Sequence, residues 1–347
     1  MEVNPRSEII ERAELLSPET MPEKITGRAR QVEKLQSCLK PMEKGCAPIS
    51  SWLYGPPGTG KTVIARKVAE QACSSPCRVS LYVNCWQRPT FHSVVQALCE
   101  QLQILGAEAK DANIKLARLR QFLKDKAMLV ILDEIDRPMP KERESIIYQL
   151  LQLPKTGLYC ISSDTAAFFD LEMRVRSKLS PARLHFSKYS VKETEDILTG
   201  RALGALVPNT YTDSILQKVA LLAGGDARVA LYILLKSAIA AENGQACRIS
   251  TRHIPADVSA WQRLEKTSKI QKLPQHQQLI YKLAKKHGQL SATKLRRIYR
   301  INCYNESIEP VARRTFTKNI AQLAQLNLIS IEPRVIGGPG RLVKAMV

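Results

Sequence analysis

The chain has no apolar run long enough to span a bilayer; its longest apolar helix candidate, Val229 to Ala241, is interrupted by Lys236. Met1 to Pro22 is acidic and polar where a secretory leader would be apolar. These two absences predict a soluble, intracellular protein with no membrane partner. Cysteines are present without a pairing pattern: nine, at positions 38, 46, 73, 77, 85, 99, 160, 247 and 303. Cys73 and Cys77 are spaced C-x3-C, but no second pair or histidine tract completes a zinc site. Reduced, mostly buried thiols are expected. Acid is also scarce. The 32 Asp+Glu against 52 Lys+Arg leave a formal net charge of +20, which points to a polyanionic partner. At 347 residues the chain exceeds one ordinary core, so two or three domains are expected.

The excess of cations is uneven. Residues 258–347 hold 17 Lys+Arg against 4 Asp+Glu, a balance of +13, whereas everything before them balances at only +7. The last quarter of the chain is therefore the expected polyanion-binding part.

The stretch with the sharpest chemistry is Gly55-Pro56-Pro57-Gly58-Thr59-Gly60-Lys61-Thr62, which fits the phosphate-loop pattern G-x-x-x-x-G-K-T. It follows an apolar run, Ile49 to Tyr54, and opens into the helical pattern from Val63 to Ala69. The glycines let backbone N–H groups turn inward around a triphosphate, and the helix N-terminus adds the positive end of its dipole. Lys61 would reach the β and γ phosphates and the Thr62 hydroxyl would ligate Mg2+. The bland alternative is a Gly/Pro-rich turn; the strand before and the helix after argue against it. Met128 to Leu132 is a second apolar strand, and it ends in Asp133-Glu134-Ile135-Asp136. Asp133 would hold Mg2+ through water and Glu134 would polarise the attacking water. Further strands are expected at Arg78–Cys85 and Leu158–Ser163, with helices at Arg30–Leu39, Thr90–Leu105, Ile114–Lys126 and Glu142–Leu151. Such alternation implies a parallel sheet covered on both faces, and locally an ATPase of the α/β class.

After Tyr189 the strands stop. Val191–Leu203, Asp213–Leu222 and Asp226–Ala241 read as helices, so a small helical domain is expected over 190–257. Asp226 suits an N-cap, which leaves Arg228 in the first turn, where the helix dipole disfavours a cation. A nearby phosphate would offset that, and a solvated surface arginine is the alternative. Residues 258–347 read as three helices (Gln275–Lys286, Ala292–Tyr299, Arg313–Leu326) followed by two short strands around Gly337-Gly338-Pro339-Gly340. This is winged-helix order. Arg313, Arg314, Thr315, Thr317 and Lys318 would open the recognition helix, and Arg334 and Arg341 would flank the wing tip. A winged helix can also serve protein contacts; the charge balance favours DNA.

In this order the parts resemble the AAA+ initiators of DNA replication, the archaeal and eukaryotic origin-recognition and Cdc-six-like family, over nearly the whole chain. The likeness is carried by Gly55–Thr62 (Walker A), Val83-Asn84-Cys85, and Leu132–Asp136 (Walker B). It continues in Arg174–Leu179, Phe186–Ser190 and Gly225–Leu231 (sensor 2). It implies an AAA+ base over 1–189, a lid over 190–257 and a winged-helix domain over 258–347. It also implies ATP or ADP with Mg2+, double-stranded origin DNA, the replicative Mcm helicase, and other copies or paralogues as partners. The helix Thr90–Leu105 takes the place of the family's DNA-touching insertion. Two departures stand out: Ser163 occupies the sensor-1 place usually held by Asn, and Ser177 is followed by Lys178 where related clamp loaders carry Ser-Arg. Lysine cannot fork onto phosphate, so Arg174, Arg176 or Arg183 would have to act across subunits if any residue does. Both departures suit a slow switch. Competing readings are an AAA+ ATPase of another branch, clamp-loader-like or a transposition regulator, and a non-enzymatic DNA-binding regulator with permanent ADP. The absence of a long charged N-terminal extension favours an archaeal, nucleoid-associated protein over a nuclear one.

Overall fold

The computed structural model describes residues 8–73, 75–104, 111–257, 267, 270–271, 273–306, 308–325, 328–333 and 341–345. The chain divides into two compact units, residues 1–136 with 140–262, and residues 137–139 with 263–347.

The first unit is built on β1 (Ser51–Tyr54), β2 (Arg78–Asn84), β3 (Ala127–Asp133), β4 (Thr156–Ser162) and β5 (Ala182–His185), in the order β2-β3-β4-β1-β5. All the pairings are parallel. Strict alternation explains how one sheet serves two cores. Met128, Val130 and Leu132 of β3 join Leu158 and Cys160 of β4 in one apolar layer; Leu129, Ile131, Tyr159 and Ile161 enter the other. Strands buried on both faces read as continuous apolar runs, as β3 does. Around them lie α1 (Ala29–Leu39), α2 (Lys61–Ala72), α3 (Phe91–Gln101), α4 (Ala112–Phe122), α5 (Pro140–Leu150), α6 (Ala166–Phe169) and α7 (Met173–Leu179). Burying one of the large apolar side chains of β3 contributes about 1.5–3 kcal/mol.

Several boundaries differ from the expectation. β5 is too short and too polar in pattern to show as a strand in sequence, and only Leu184 of its four residues is fully buried. Helix α3 starts where its N-cap Thr90 accepts from the Ser93 N–H, and it ends at Gln101, before a left-handed Gln103 at φ 52°. The expected continuation to Leu105 is not found at 102–104, and Leu105 itself lies outside the described residues. Helix α4 starts two residues early because Asp111 caps it by accepting from the Asn113 N–H at 2.8 Å.

The helices α8 (Val191–Ala205), α9 (Asp213–Ala223) and α10 (Ala227–Asn243) share a third apolar core containing Leu198, Leu216, Val219 and Leu234. The N-terminal lead-in belongs to this core and not to the sheet: Ile9 and Leu16 are fully buried in it. Glu242 Oε1 accepts from the Ile9 and Ile10 N–H groups at 2.9 Å, and Arg201 donates to Leu15 O and Thr20 O. Ile9 and Leu16, expected to lie within the base, therefore pack with the helices that follow Tyr189.

The second unit contains α11 (Gln275–His287), β6 (Leu290–Ser291), α12 (Ala292–Asn305), α13 (Arg313–Gln325), β7 (Ile329–Pro333) and β8 (Arg341–Ala345). Its antiparallel sheet runs β6-β8-β7, and two-residue β6 is a strand without a signal in sequence. Leu295, Tyr299, Phe316, Leu323 and Val343 fill the core. Among the described residues, no helix is long and apolar enough to cross a membrane.

Candidate functional site

The loop between β1 and α2 is held by backbone that only glycine tolerates. Gly58 (φ 71°) faces the Asp226 carboxylate and Gly60 (φ 87°) faces the Tyr189 hydroxyl so closely that a Cβ at either would collide. Left-handed φ and lack of space together exclude side chains there. Lys61 opens α2, and its ammonium donates to Gly55 O at 2.6 Å and Pro56 O at 2.7 Å. Burial pushes its pKa down to about 8, with Asp133 opposing and Arg228 assisting that shift.

Thr62 and Asp133 come together from different elements. The Thr62 hydroxyl donates to Asp133 Oδ2 at 2.8 Å, and the Tyr82 hydroxyl donates to the same oxygen at 2.9 Å. The Glu134 N–H donates to Oδ1 at 3.0 Å. Burial raises the Asp133 pKa, and these three donors work against that rise. The parallel register that sets Asn84 beside Asp133 also brings Tyr82 within reach. Glu134 turns off the strand end at φ 53°, a left-handed conformation uncommon outside glycine and typical of functional turns. A hard-oxygen pair (Thr62 hydroxyl, Asp133 carboxylate) beside a buried ammonium and a glycine cradle fits a Mg2+–nucleotide.

The helical unit docks on this loop. The Ala227 N–H donates to Gly58 O at 3.1 Å and the Tyr189 N–H to Gly225 O at 3.2 Å. Asp226 caps α10 as expected, accepting from the Arg228 N–H at 2.9 Å. It also forms an ion pair with the Arg228 guanidinium at 3.1 Å. In place of the nearby phosphate or solvent expected to offset the first-turn cation, the Asp226 carboxylate compensates it. The Asp226 carboxylate that holds it lies against Gly58, which places Arg228 beside the phosphate loop.

Among known proteins, the family described as "AAA domain" matches residues 50–162 and the "Cdc6 AAA+ ATPase-type lid domain" matches residues 195–257. The chain is 34% identical over 289 residues to ORC1-type DNA replication protein 1 of Halobacterium salinarum, covering 80% of this chain and 91% of that protein. The chain belongs to the ORC1-type DNA replication proteins. It is 28% identical to ORC1-type DNA replication protein 1 of Sulfurisphaera tokodaii, over 94% of this chain and 86% of that one. The structure of Aeropyrum pernix ORC1 in complex with DNA superposes with a TM-score of 0.74 at 26% identity, covering 97% of this chain and 94% of that one. Pyrobaculum aerophilum Cdc6p, at 22% identity and a TM-score of 0.65, shares the fold over 97% of this chain and 94% of that one. The protein is thus an archaeal-type AAA+ replication initiator with a nucleotide-binding fold.

On this ORC1-type frame, Gly55 to Thr62, Asp133, Glu134 and Arg228 gather at one place. Ser163 does not point there freely, because its N–H and hydroxyl both donate to Asp136 Oδ2. In the second unit Arg313, Arg314, Thr315, Thr317 and Lys318 are all exposed on α13. Arg341 lies on β8 opposite Pro333, and Arg334 lies outside the described residues. Arg174 pairs with Glu172 at 2.8 Å on an exposed surface, the Lys178 ammonium sits 4.6 Å over the Tyr148 ring, and the Arg183 guanidinium sits 5.9 Å over the Phe168 ring.

Two further residues of the site carry no signal in sequence. Arg28 is only 4% exposed; it stacks 3.9 Å over the Tyr189 ring, donates to Ser187 O at 2.5 Å and Thr59 O at 3.4 Å, and lies 3.7 Å from Glu193. It ties the phosphate loop, the junction after β5 and α8 together. Tyr82 is the second. Nothing local marks either one, since their partners come from distant parts of the chain.

Proposed function

We propose that this initiator uses ATP as a switch while its basic C-terminal domain holds origin duplex DNA and helps load the Mcm helicase. In this reading the chain has three functional parts, the base, the lid over 190–257 and a winged helix over 258–347. The observation that carries the reading is the convergence of Lys61, Thr62, Asp133 and Arg228 on one glycine loop, in a chain that also exposes Arg313, Arg314 and Lys318 on one helix. Thr62 and Asp133 would hold Mg2+, which when bound neutralises phosphate charge. Glu134 polarises water, and Lys61 binds the phosphates. Arg228, held by Asp226, exchanges that carboxylate for the γ-phosphate, so ATP and ADP favour different lid positions. Ser163, tied to Asp136, is poorly placed to orient water, which supports slow turnover. The helix–strand–helix–helix–hairpin order of the second unit, with the +13 balance of residues 258–347, supports DNA binding, as does the DNA complex of the Aeropyrum pernix relative. In an archaeal cell the protein would work on the nucleoid, with other copies or paralogues.

A footprint of the full chain on its host genome, with ATP and with ADP, tests the reading. Protection at a few discrete sites that differ between nucleotides is expected. Uniform protection everywhere would leave a DNA-binding protein but remove the origin-specific role.

A further inference from the structure

The second unit has a concave feature to which, apart from Arg313, the expected duplex contacts contribute nothing. A groove of ≈ 640 Å³ runs between α12 and α13, lined by Arg296, Arg297, Arg300 and Tyr304 from α12 and by Arg313 and Phe316 from α13. Its floor is apolar, with Ile320, Ile331 and Val343 contributing. No carboxylate is among the lining residues. Arg297 and Arg300 are exposed, and the buried Nε of Arg296 has no hydrogen-bond partner among the described residues. Tyr304 is 64% exposed and Ile301 is 53% exposed, so an aromatic ring and an aliphatic side chain are open to a ligand.

Geometry separates this groove from the duplex-facing side of the same helix. At 3.6 residues per turn, Arg313, Thr317 and Ile320 share one side of α13, whereas Arg314, Thr315 and Lys318 lie on the other. Arg313, expected to join Arg314 in duplex contact, also lines the groove. Along α12, Arg296, Arg300 and Tyr304 recur at intervals of four residues, so two cations and an aromatic ring follow one another on one stripe.

A duplex gives such a floor only thymine methyls and sugar edges, because its base faces are already stacked inside. An unpaired strand has phosphates for the arginines and base faces for Tyr304 at the same time. Cationic groove plus exposed aromatic platform is the physical recipe for single-strand binding without sequence preference. Resting on the reading that this unit binds DNA, we propose that the α12–α13 groove binds single-stranded DNA, separately from the duplex-facing side of α13. The groove would then retain a strand as the origin opens.

The test is fluorescence anisotropy of labelled oligo-dT and of a random-sequence duplex against the full chain and its variants Tyr304→Ala, Tyr304→Phe and Arg314→Ala. Loss of one stacked base should weaken oligo-dT by about 5- to 150-fold in Tyr304→Ala. Tyr304→Phe, which keeps the ring, should retain affinity, and duplex binding should be unchanged in both. Arg314→Ala should weaken duplex and spare oligo-dT. Equal loss of duplex and oligo-dT in Tyr304→Ala would make the groove part of the duplex interface and overturn the proposal. So would oligo-dT binding indifferent to Tyr304, or its Tyr304-dependent displacement by polyglutamate, which would mark an acidic-peptide site. A chain that binds oligo-dT through Tyr304 but no duplex would instead overturn the duplex reading and leave the groove standing. Binding to neither would overturn both.

Discussion

Around the phosphate loop of the first unit, cations fix geometry: Arg28 lies against Glu193 and two carbonyls, Arg228 against Asp226, and Lys61 against Gly55 O and Pro56 O. In the second unit Arg297, Arg300, Arg313, Arg314 and Lys318 face solvent and carry no ion pair among the described residues. The difference teaches what each charge is for. A cation buried among partners fixes positions, and removing it leaves unsatisfied acceptors behind. An exposed cation on a helix contributes little to stability and remains available to a polyanion. Nucleotide chemistry should therefore respond steeply to single changes in the first unit, and DNA affinity should respond in small, additive steps to changes in the second.

The largest expected effect is on turnover. Glu134→Gln should leave ATP binding intact and slow single-turnover hydrolysis by about 10²–10⁴-fold, the usual worth of a positioned base. Equal rates would remove Glu134 from the chemistry and favour a chain that keeps its nucleotide as a structural group. Lys61→Ala should weaken ATP by roughly 100-fold or more in calorimetry, since Arg228, held by Asp226 on the lid, cannot replace an ammonium buried in the loop.

Glu134 and Lys61 are both legible in the amino-acid sequence, and the reason is physical. Glycine loops, an apolar strand ending in acid, and helix caps such as Asp226 are encoded by neighbours along the chain. The parallel sheet, the helical unit and the basic unit follow from the same local signals. What stays hidden depends on long-range register. Tyr82 meets Asp133 only because β2 and β3 align in parallel, and Arg28 meets Tyr189 and Glu193 only because the N-terminal segment crosses the loop. β5 is silent in sequence because it borrows its pairing from β1, and β6 because two residues carry no periodicity. The groove on α12 is silent too, because Arg296, Arg297 and Arg300 read simply as charge on a helix.

A smaller effect is expected from the lid. Arg228→Ala should reduce the preference for ATP over ADP by about tenfold, within the usual range of coupling energies, with ADP affinity nearly unchanged. If both nucleotides weaken alike, the arginine does not sense the γ-phosphate. Smaller again in function, Arg28→Ala should cost about 1–3 kcal/mol of stability by orphaning Ser187 O and Thr59 O, read as a lower urea midpoint at constant slope. No change in the midpoint would show that the contact is incidental.

The division of labour between the two kinds of charge is tested most directly by one salt titration of duplex affinity for the full-length wild type, Arg314→Ala and Lys61→Ala. Each phosphate contact contributes about −0.9 to the log–log slope, because a bound cation releases condensed counterions. Arg314→Ala should flatten the slope by about one such contact, and Lys61→Ala should leave it unchanged. An unchanged slope in Arg314→Ala, or an equal flattening in Lys61→Ala, would contradict the account.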